Sequence, residues 1–102
     1  MSDDSKSRNG DEMIPLGFHL GQNYPNPFSE STRITYCIPL KIEVVITVHD
    51  LHGGLVKRLV KERQTPGTYE IRFDGRNLPE GIYYCRMKAG AYFVEKRMDV
   101  RH

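Results

Sequence analysis

The chain has no apolar run approaching the roughly 18 residues that a membrane-crossing helix requires. Its first dozen residues also lack the apolar segment that defines a secretory signal peptide. The sequence as it stands therefore shows no means of entering an export pathway. It is expected either to be cut from a larger precursor or to stay inside the cell. Neither sign of charge forms a block: 15 Lys and Arg are interspersed with 13 Asp and Glu, for a formal charge of +2. A nucleic-acid binder usually concentrates positive charge on one face or run, so no nucleic-acid partner is expected. No glycine-rich phosphate loop follows a strand, and no serine or cysteine sits in a recognisable nucleophile elbow. No catalytic residue and no cofactor are expected.

Cysteine is scarce. Cys37 and Cys85 invite an inter-sheet disulfide of the immunoglobulin kind. Alternation opposes that pairing. In residues 34–38 the large apolar side chains occupy even positions, which turns Cys37 outward, whereas Cys85 falls inward beside Tyr83 and Met87. Two free thiols are expected, and the redox compartment stays open.

The 102 residues leave room for one domain. Residues 1–13 are polar, mixed in charge and rich in Ser, Asp and Lys, and read as a flexible, disordered leader. Residues 14–102 read as the domain, small enough for a modest core. A short first strand is expected within 14–20. Prolines 25 and 27 then lock a loop over 23–28 and push each preceding residue towards extended geometry. Residues 32–38 alternate, with Ile34, Tyr36 and Ile38 on one face. In 44–50, Val44, Ile46 and Val48 oppose Val45, Thr47 and His49.

The 51–54 segment, ending in two glycines, reads as a turn. Periodicity alone leaves 55–62 open between helix and strand; its brevity and the glycine turn before it favour strand. Residues 64–67 read as a turn with proline second and glycine third. In 68–74, Tyr69, Ile71 and Phe73 point inward and Glu70 and Arg72 outward. A loop over 74–81 leads to a hairpin of 82–88 and 92–100 joined through Ala89 and Gly90. Seven short strands with turn residues between most of them predict an all-β fold, a seven-stranded immunoglobulin-like antiparallel β-sandwich.

Two clusters deserve a chemical reading. His49, Asp50 and His52 resemble part of a metal site, yet zinc needs three or four ligands and alternation separates His49 from Asp50. Asp74, Gly75, Arg76, Asn77 and Glu80 offer two carboxylates in a short loop, too few oxygens for calcium. In both places the simpler reading is an aspartate bonding nearby backbone amides in a turn. No metal residue is expected. Lys41, Lys57, Arg58, Lys61, Arg63, Lys96, Arg97 and Arg101 tint the second half basic, read first as solvated outward faces and second as contact with an acidic partner.

The run Gln22-Asn23-Tyr24-Pro25-Asn26-Pro27-Phe28, followed by Ser31-Thr32-Arg33-Ile34-Thr35-Tyr36, resembles the opening of type IX secretion sorting domains. These are C-terminal domains on proteins exported by Bacteroidetes and related bacteria. Val48, His49, Asp50, Gly53 and Val56 resemble the family's middle strand pair. Gly67, Tyr69, Ile71, Phe73, Asp74 and Gly75 resemble the next segment, and Gly81, Tyr83, Arg86, Gly90, Lys96 and Val100 its final hairpin. His49 stands where the family more often has tyrosine, and Phe73 where it often has tryptophan. A related likeness is to the immunoglobulin-like domain of flagellar hook-capping proteins.

The resemblance implies an address rather than a reaction. Its partners would be the outer-membrane type IX translocon, a sortase-like surface peptidase, and a cargo domain N-terminal to this chain. Transit would run through the periplasm to the cell surface, with cleavage within the leader. Pro25, Asn26, Pro27, Gly81, Tyr83, Gly90, Lys96 and Val100 are the motif positions assigned to partner recognition. The final strand would present a pairing edge. The alternative is a structural adaptor, a hook-cap-like module holding an assembly together. A carbohydrate-binding sandwich would want an exposed aromatic platform, whereas Tyr69, Phe73 and Tyr83 point inward and Tyr84 and Tyr92 are unassigned.

Overall fold

The computed structural model describes residues 14–102; the expected leader, 1–13, lies outside the described residues. Seven strands follow one another: β1 (His19–Leu20), β2 (Ser31–Ile38), β3 (Ile42–Asp50), β4 (Leu55–Gln64), β5 (Gly67–Asp74), β6 (Gly81–Ala89) and β7 (Tyr92–Val100). They form two antiparallel sheets, β1-β2-β5 and β4-β3-β6-β7. An immunoglobulin constant domain keeps its fourth strand with strands one, two and five. Here the fourth strand sits beside the third instead. The cause is local: Asp50 and Gly54 close a tight turn, with the Asp50 amide donating to the Gly54 carbonyl at 2.9 Å. Asp50 Oδ1 also accepts from the amides of His52 and Gly54 at 2.8 and 2.9 Å. Gly53 takes the left-handed φ of 88° that this reversal requires. These bonds hold the Asp50 carboxyl below its ordinary range.

The alternation read from sequence is the burial observed. Ile34, Tyr36 and Ile38 from β2, and Val44, Ile46 and Val48 from β3, are buried between the sheets. Tyr83, Cys85 and Met87 from β6 and Met98 and Val100 from β7 complete that layer. In β5 the inward set is only partly realised, since Phe73 is buried but Tyr69 and Ile71 are half-covered. Tyr69 stacks on Tyr36 at 5.3 Å between ring centroids, and its hydroxyl donates to the Thr65 carbonyl at 2.6 Å. Tyr36 in turn donates to Gln64 Oε1 at 2.6 Å, tying β2 to the far end of β4 across the sandwich.

Two expectations need correction, the joint of the last hairpin and the setting of the 64–67 turn. The short first strand expected within 14–20 is present as His19–Leu20 on the edge of β2, while Ile14 and Leu16 stay exposed. Leu20 is buried in the core, and Phe18 packs beside it, stacking on Tyr92 at 4.9 Å. The last hairpin turns at Gly90 and Ala91, with Ala89 still in its strand. Gly90 has φ 61°, and a Cβ there would lie 2.8 Å from Ile42 Cδ1, so both backbone and space call for glycine. Finally, the 64–67 turn joins strands of different sheets, making it a corner of the sandwich.

The cysteines are free, with Cys37 half-buried on the outer side and Cys85 buried. Cys37 Sγ lies 3.7 Å from the Gly17 carbonyl. Burial pushes the Cys85 thiol up to about 12, leaving almost no thiolate at neutral pH. A thiol reagent should therefore label Cys37 in the native chain and Cys85 only in denaturant. Two equally fast thiols in the native state would contradict the placement of Cys85.

Candidate functional site

Residues 22–28 leave the three-stranded sheet and cross to the edge of the four-stranded one. At the start, Tyr24 exchanges both backbone bonds with Arg33 of β2 at 2.9 Å. At the end, Phe28 lies parallel to Val100: its amide donates to the Asp99 carbonyl at 3.0 Å, and its carbonyl accepts from the Arg101 amide at 2.9 Å. Ahead of Tyr24, Gln22 Nε2 donates to the Arg97 carbonyl at 2.6 Å, and midway along the segment Asn26 Oδ1 accepts from the Asp99 amide at 2.9 Å. The segment is a strap that joins the two sheets along one side. Both proline peptide bonds in it, Tyr24-Pro25 and Asn26-Pro27, are cis.

Proline carries no amide hydrogen, so side chains do the bonding that backbone would otherwise do. Asn23 is 3% exposed. Its Nδ2 donates to Thr32 Oγ1 at 3.0 Å and to the Pro25 carbonyl at 3.2 Å, while Thr32 Oγ1 donates to the same carbonyl at 2.8 Å. Asn23 Oδ1 accepts from Gln22 Nε2 at 2.7 Å. A polar ring is thus closed between the strap and β2, as buried polar groups require. Phe28 anchors the other end in the core, its ring edge-on to Phe73 at 6.1 Å and 68°.

This arrangement sorts the motif positions. Pro25, Asn26 and Pro27 are exposed on the strap, and exposed Gly81 and buried Val100 pair directly beside its Phe28 end. Tyr83 is buried, its hydroxyl donating to the Pro79 carbonyl at 2.7 Å and its ionisation opposed by burial. Gly90 is nine residues beyond Gly81, at the opposite end of the hairpin, roughly 30 Å along a strand. Lys96 differs from the outward-facing residue expected. It opposes buried Cys85 and so projects to the inner side of β7, half-buried. An inward-pointing charge on an edge strand guards against unwanted pairing. Reasoning from sequence missed Gln22, Asn23, Thr32 and the dock at Phe28. The legible signal was two prolines flanked by amide side chains, which need bonding partners once backbone donors are gone.

The edge of β7 is consequently only half open. Asp99 turns both its backbone groups to the strap, so alternation turns those of Phe93 and Glu95 to the same side, where no described strand meets them. On the other side of the sandwich, β4 is interrupted by two bulges, at Val56 and Leu59, and β5 lines its free edge with Glu70, Arg72 and Asp74. Such bulges and charges are edge-guarding devices.

Neither suspected metal cluster keeps its carboxylate free. Both oxygens of Asp74 meet the Arg76 guanidinium, at 2.7 Å for the closest contact, and Oδ1 also accepts the Arg76 amide. That pairing first, and the amide second, hold the Asp74 carboxyl down at about 2. His49 is spent on Thr47 Oγ1 at 2.9 Å and the Gly53 carbonyl at 3.2 Å. An open hollow of about 480 Å³ beside the strap is bordered by Tyr24, Thr32, Arg33, Glu70 and Arg72. Arg33 lies 3.3 Å from Glu70, and Arg72 Nε donates to Ser31 Oγ at 3.4 Å.

What fold and site define is a two-sheet module whose distinctive residues build a clasp instead of converging on a pocket. The profile of the secretion system C-terminal sorting domain family matches residues 22–101, and the chain belongs to that family. The match opens on the first residue of the strap and closes one residue beyond β7. A search of curated proteins returned no match to the chain. No helix among the described residues is long and apolar enough to cross a membrane.

Proposed function

We propose that this chain directs a larger protein, attached N-terminal to it, across the outer membrane through the type IX translocon. It acts as a folded address, without chemistry of its own. The observation that carries this reading is the family match, whose limits coincide with the strap and the end of β7. On this reading, a receptor meets the exposed end of the sandwich at Pro25, Asn26, Pro27 and Gly81. Tyr83 and Val100 act from the core by holding that end in shape, and Gly90 shapes the far turn. Lys96 keeps the β7 edge selective, and the open part of that edge, around Phe93 and Glu95, is available for strand addition. Residues 14–102 form the sorting unit. After transit through the periplasm, a sortase-like surface peptidase would cut within residues 1–13 and leave the cargo at the cell surface.

The test fuses the chain behind a reporter with a periplasmic signal in a host that has the type IX system. The reporter is expected at the cell surface. A reporter retained in the periplasm, with the domain folded and intact, refutes the reading.

A further inference from the structure

We infer that the outer face of the four-stranded sheet is a docking surface for an acidic, extended segment of a partner protein. The inference rests on the sorting reading above and adds a partner chemistry to it. Strand register puts Lys61, Val45 and Lys88 side by side across β4, β3 and β6. The next row is Arg58, Thr47 and Arg86, and Arg63 lies opposite Glu43 on the other flank. Cross-strand spacing of about 4.8 Å places Lys61 and Lys88 about 10 Å apart.

The two halves of this face differ in how their charges are satisfied. Towards β7, Arg86 meets Glu95 at 2.6 Å and Arg97 meets Asp99 at 2.9 Å. Towards β4, Arg58, Lys61, Arg63 and Lys88 make no ion pair with any described residue. On the outer face of the opposite sheet Arg33 meets Glu70 and Asp74 meets Arg76, so Arg72 is the one cation of that face without an ion pair among the described residues. Positive charge is therefore gathered on one half of one face, a distribution the mild net charge of +2 conceals.

Edge protection accounts for cations on β4, since lysines there discourage strand addition. It does not account for Lys88, which is exposed on β6, an interior strand. Spacing indicates the occupant. Lys61 and Arg63 stand two residues apart on one strand, about 6.8 Å, which is the repeat of alternate side chains along any extended chain. A peptide with carboxylates at alternate positions therefore meets β4 in step, while Lys88 receives a carboxylate from across Val45. Facing charges of this kind contribute chiefly to association rate and to the choice of partner.

The probe is a fluorescein-labelled peptide of four Glu-Ser repeats, titrated with the full chain at low ionic strength. Binding is expected to weaken by about tenfold in the Lys61→Glu/Lys88→Glu variant, and to fall steeply with salt. Arg33→Glu/Arg72→Glu makes the same charge change on the other sheet and is expected to cost less than about twofold. Equal losses in both variants, or no binding by the native chain, overturn the inference. So does capture by phosphatidylglycerol vesicles with no binding of the peptide. Thermal melts establish that each variant folds, and Lys61→Gln/Lys88→Gln substitutes if the charge reversal does not. In the reporter fusion, native export with undiminished export of the variant refutes the docking surface alone. Failure of the native fusion refutes the sorting reading, and the peptide titration then decides the surface by itself.

Discussion

Phe28→Ala is expected to destabilise the domain by about 3–5 kcal/mol, the range for losing a buried aromatic side chain. For a domain this size, each kcal/mol shifts the melting temperature by about 4–8 °C, so the midpoint should fall by more than about 12 °C. The size of the effect follows from what the ring does. Phe28 is 3% exposed, sits edge-on to Phe73, and is packed so closely that a Cβ on Gly75 would approach its ring to 2.7 Å. Its backbone meanwhile bonds Asp99 of β7 and Arg101 just beyond it, holding the strap to that edge. Removing the ring opens a cavity at the seam of the two sheets and loosens the anchor of the segment that bridges them. Phe28→Leu should recover most of the loss, because it refills much of the volume. A circular-dichroism melt of both variants is the measurement. A fall of less than about 3 °C for the alanine variant would show that the strap end is not part of the core.

Breaking the polar ring at the other end of the strap should come second in size. Asn23→Ala is expected to cost about 2–3 kcal/mol, since it leaves buried neighbours without a partner rather than merely removing one bond. The Pro25 carbonyl then keeps only Thr32, and Gln22 loses the oxygen it shares its amide with. Thr32→Val, a near-isosteric change at a site 1% exposed, strips the ring from the other direction. Because Asn23 and Thr32 bond each other at 3.0 Å and also bond one carbonyl, the double variant should lose less than the sum of the singles. Urea unfolding of the two singles and the double gives the coupling directly. Strict additivity would mean that the ring is three independent contacts and that the strap's shape depends on Phe28 alone.

The two expectations separate ways in which the strap is held. One end is anchored by apolar volume, which tolerates a branched replacement. The other is anchored by donors and acceptors that must all be present, which tolerates little. Between the anchors lie the exposed Pro25, Asn26 and Pro27, so the surface proposed above to meet a receptor is held from both sides. Asn26 belongs to both descriptions, being solvent-exposed while its Oδ1 holds the Asp99 amide.

Much of the domain is legible along the chain because side-chain alternation is a local property. Ile34, Tyr36 and Ile38, or Val44, Ile46 and Val48, declare an inner face through a period of two, whatever they pack against. The turn at 51–54 and the role of Asp50 were equally local, since an aspartate reaches amides only a few residues away. Strand β4 shows where such reading weakens. Its pattern was ambiguous because Val56 and Leu59 are the extra residues of two bulges, and each bulge breaks the alternation that would mark a strand. Both extra side chains are apolar and pack on the core, so the sequence looked partly helical there.

By itself, the sequence determined that this is a seven-stranded β domain with two unpaired thiols, and its motifs marked the sorting family. Only the tertiary structure decided which strands share a sheet, that 64–67 is a corner, and that Lys96 points inward. It alone revealed that residues 22–28 are a strap closing half the β7 edge. The physical reason is range. Alternation and turns are set by neighbours a few residues apart, whereas Gln22 meets Arg97 across 75 residues and Asn26 meets Asp99 across 73. Such contacts depend on where two sheets lie against each other, a matter of total packing that no window of sequence contains.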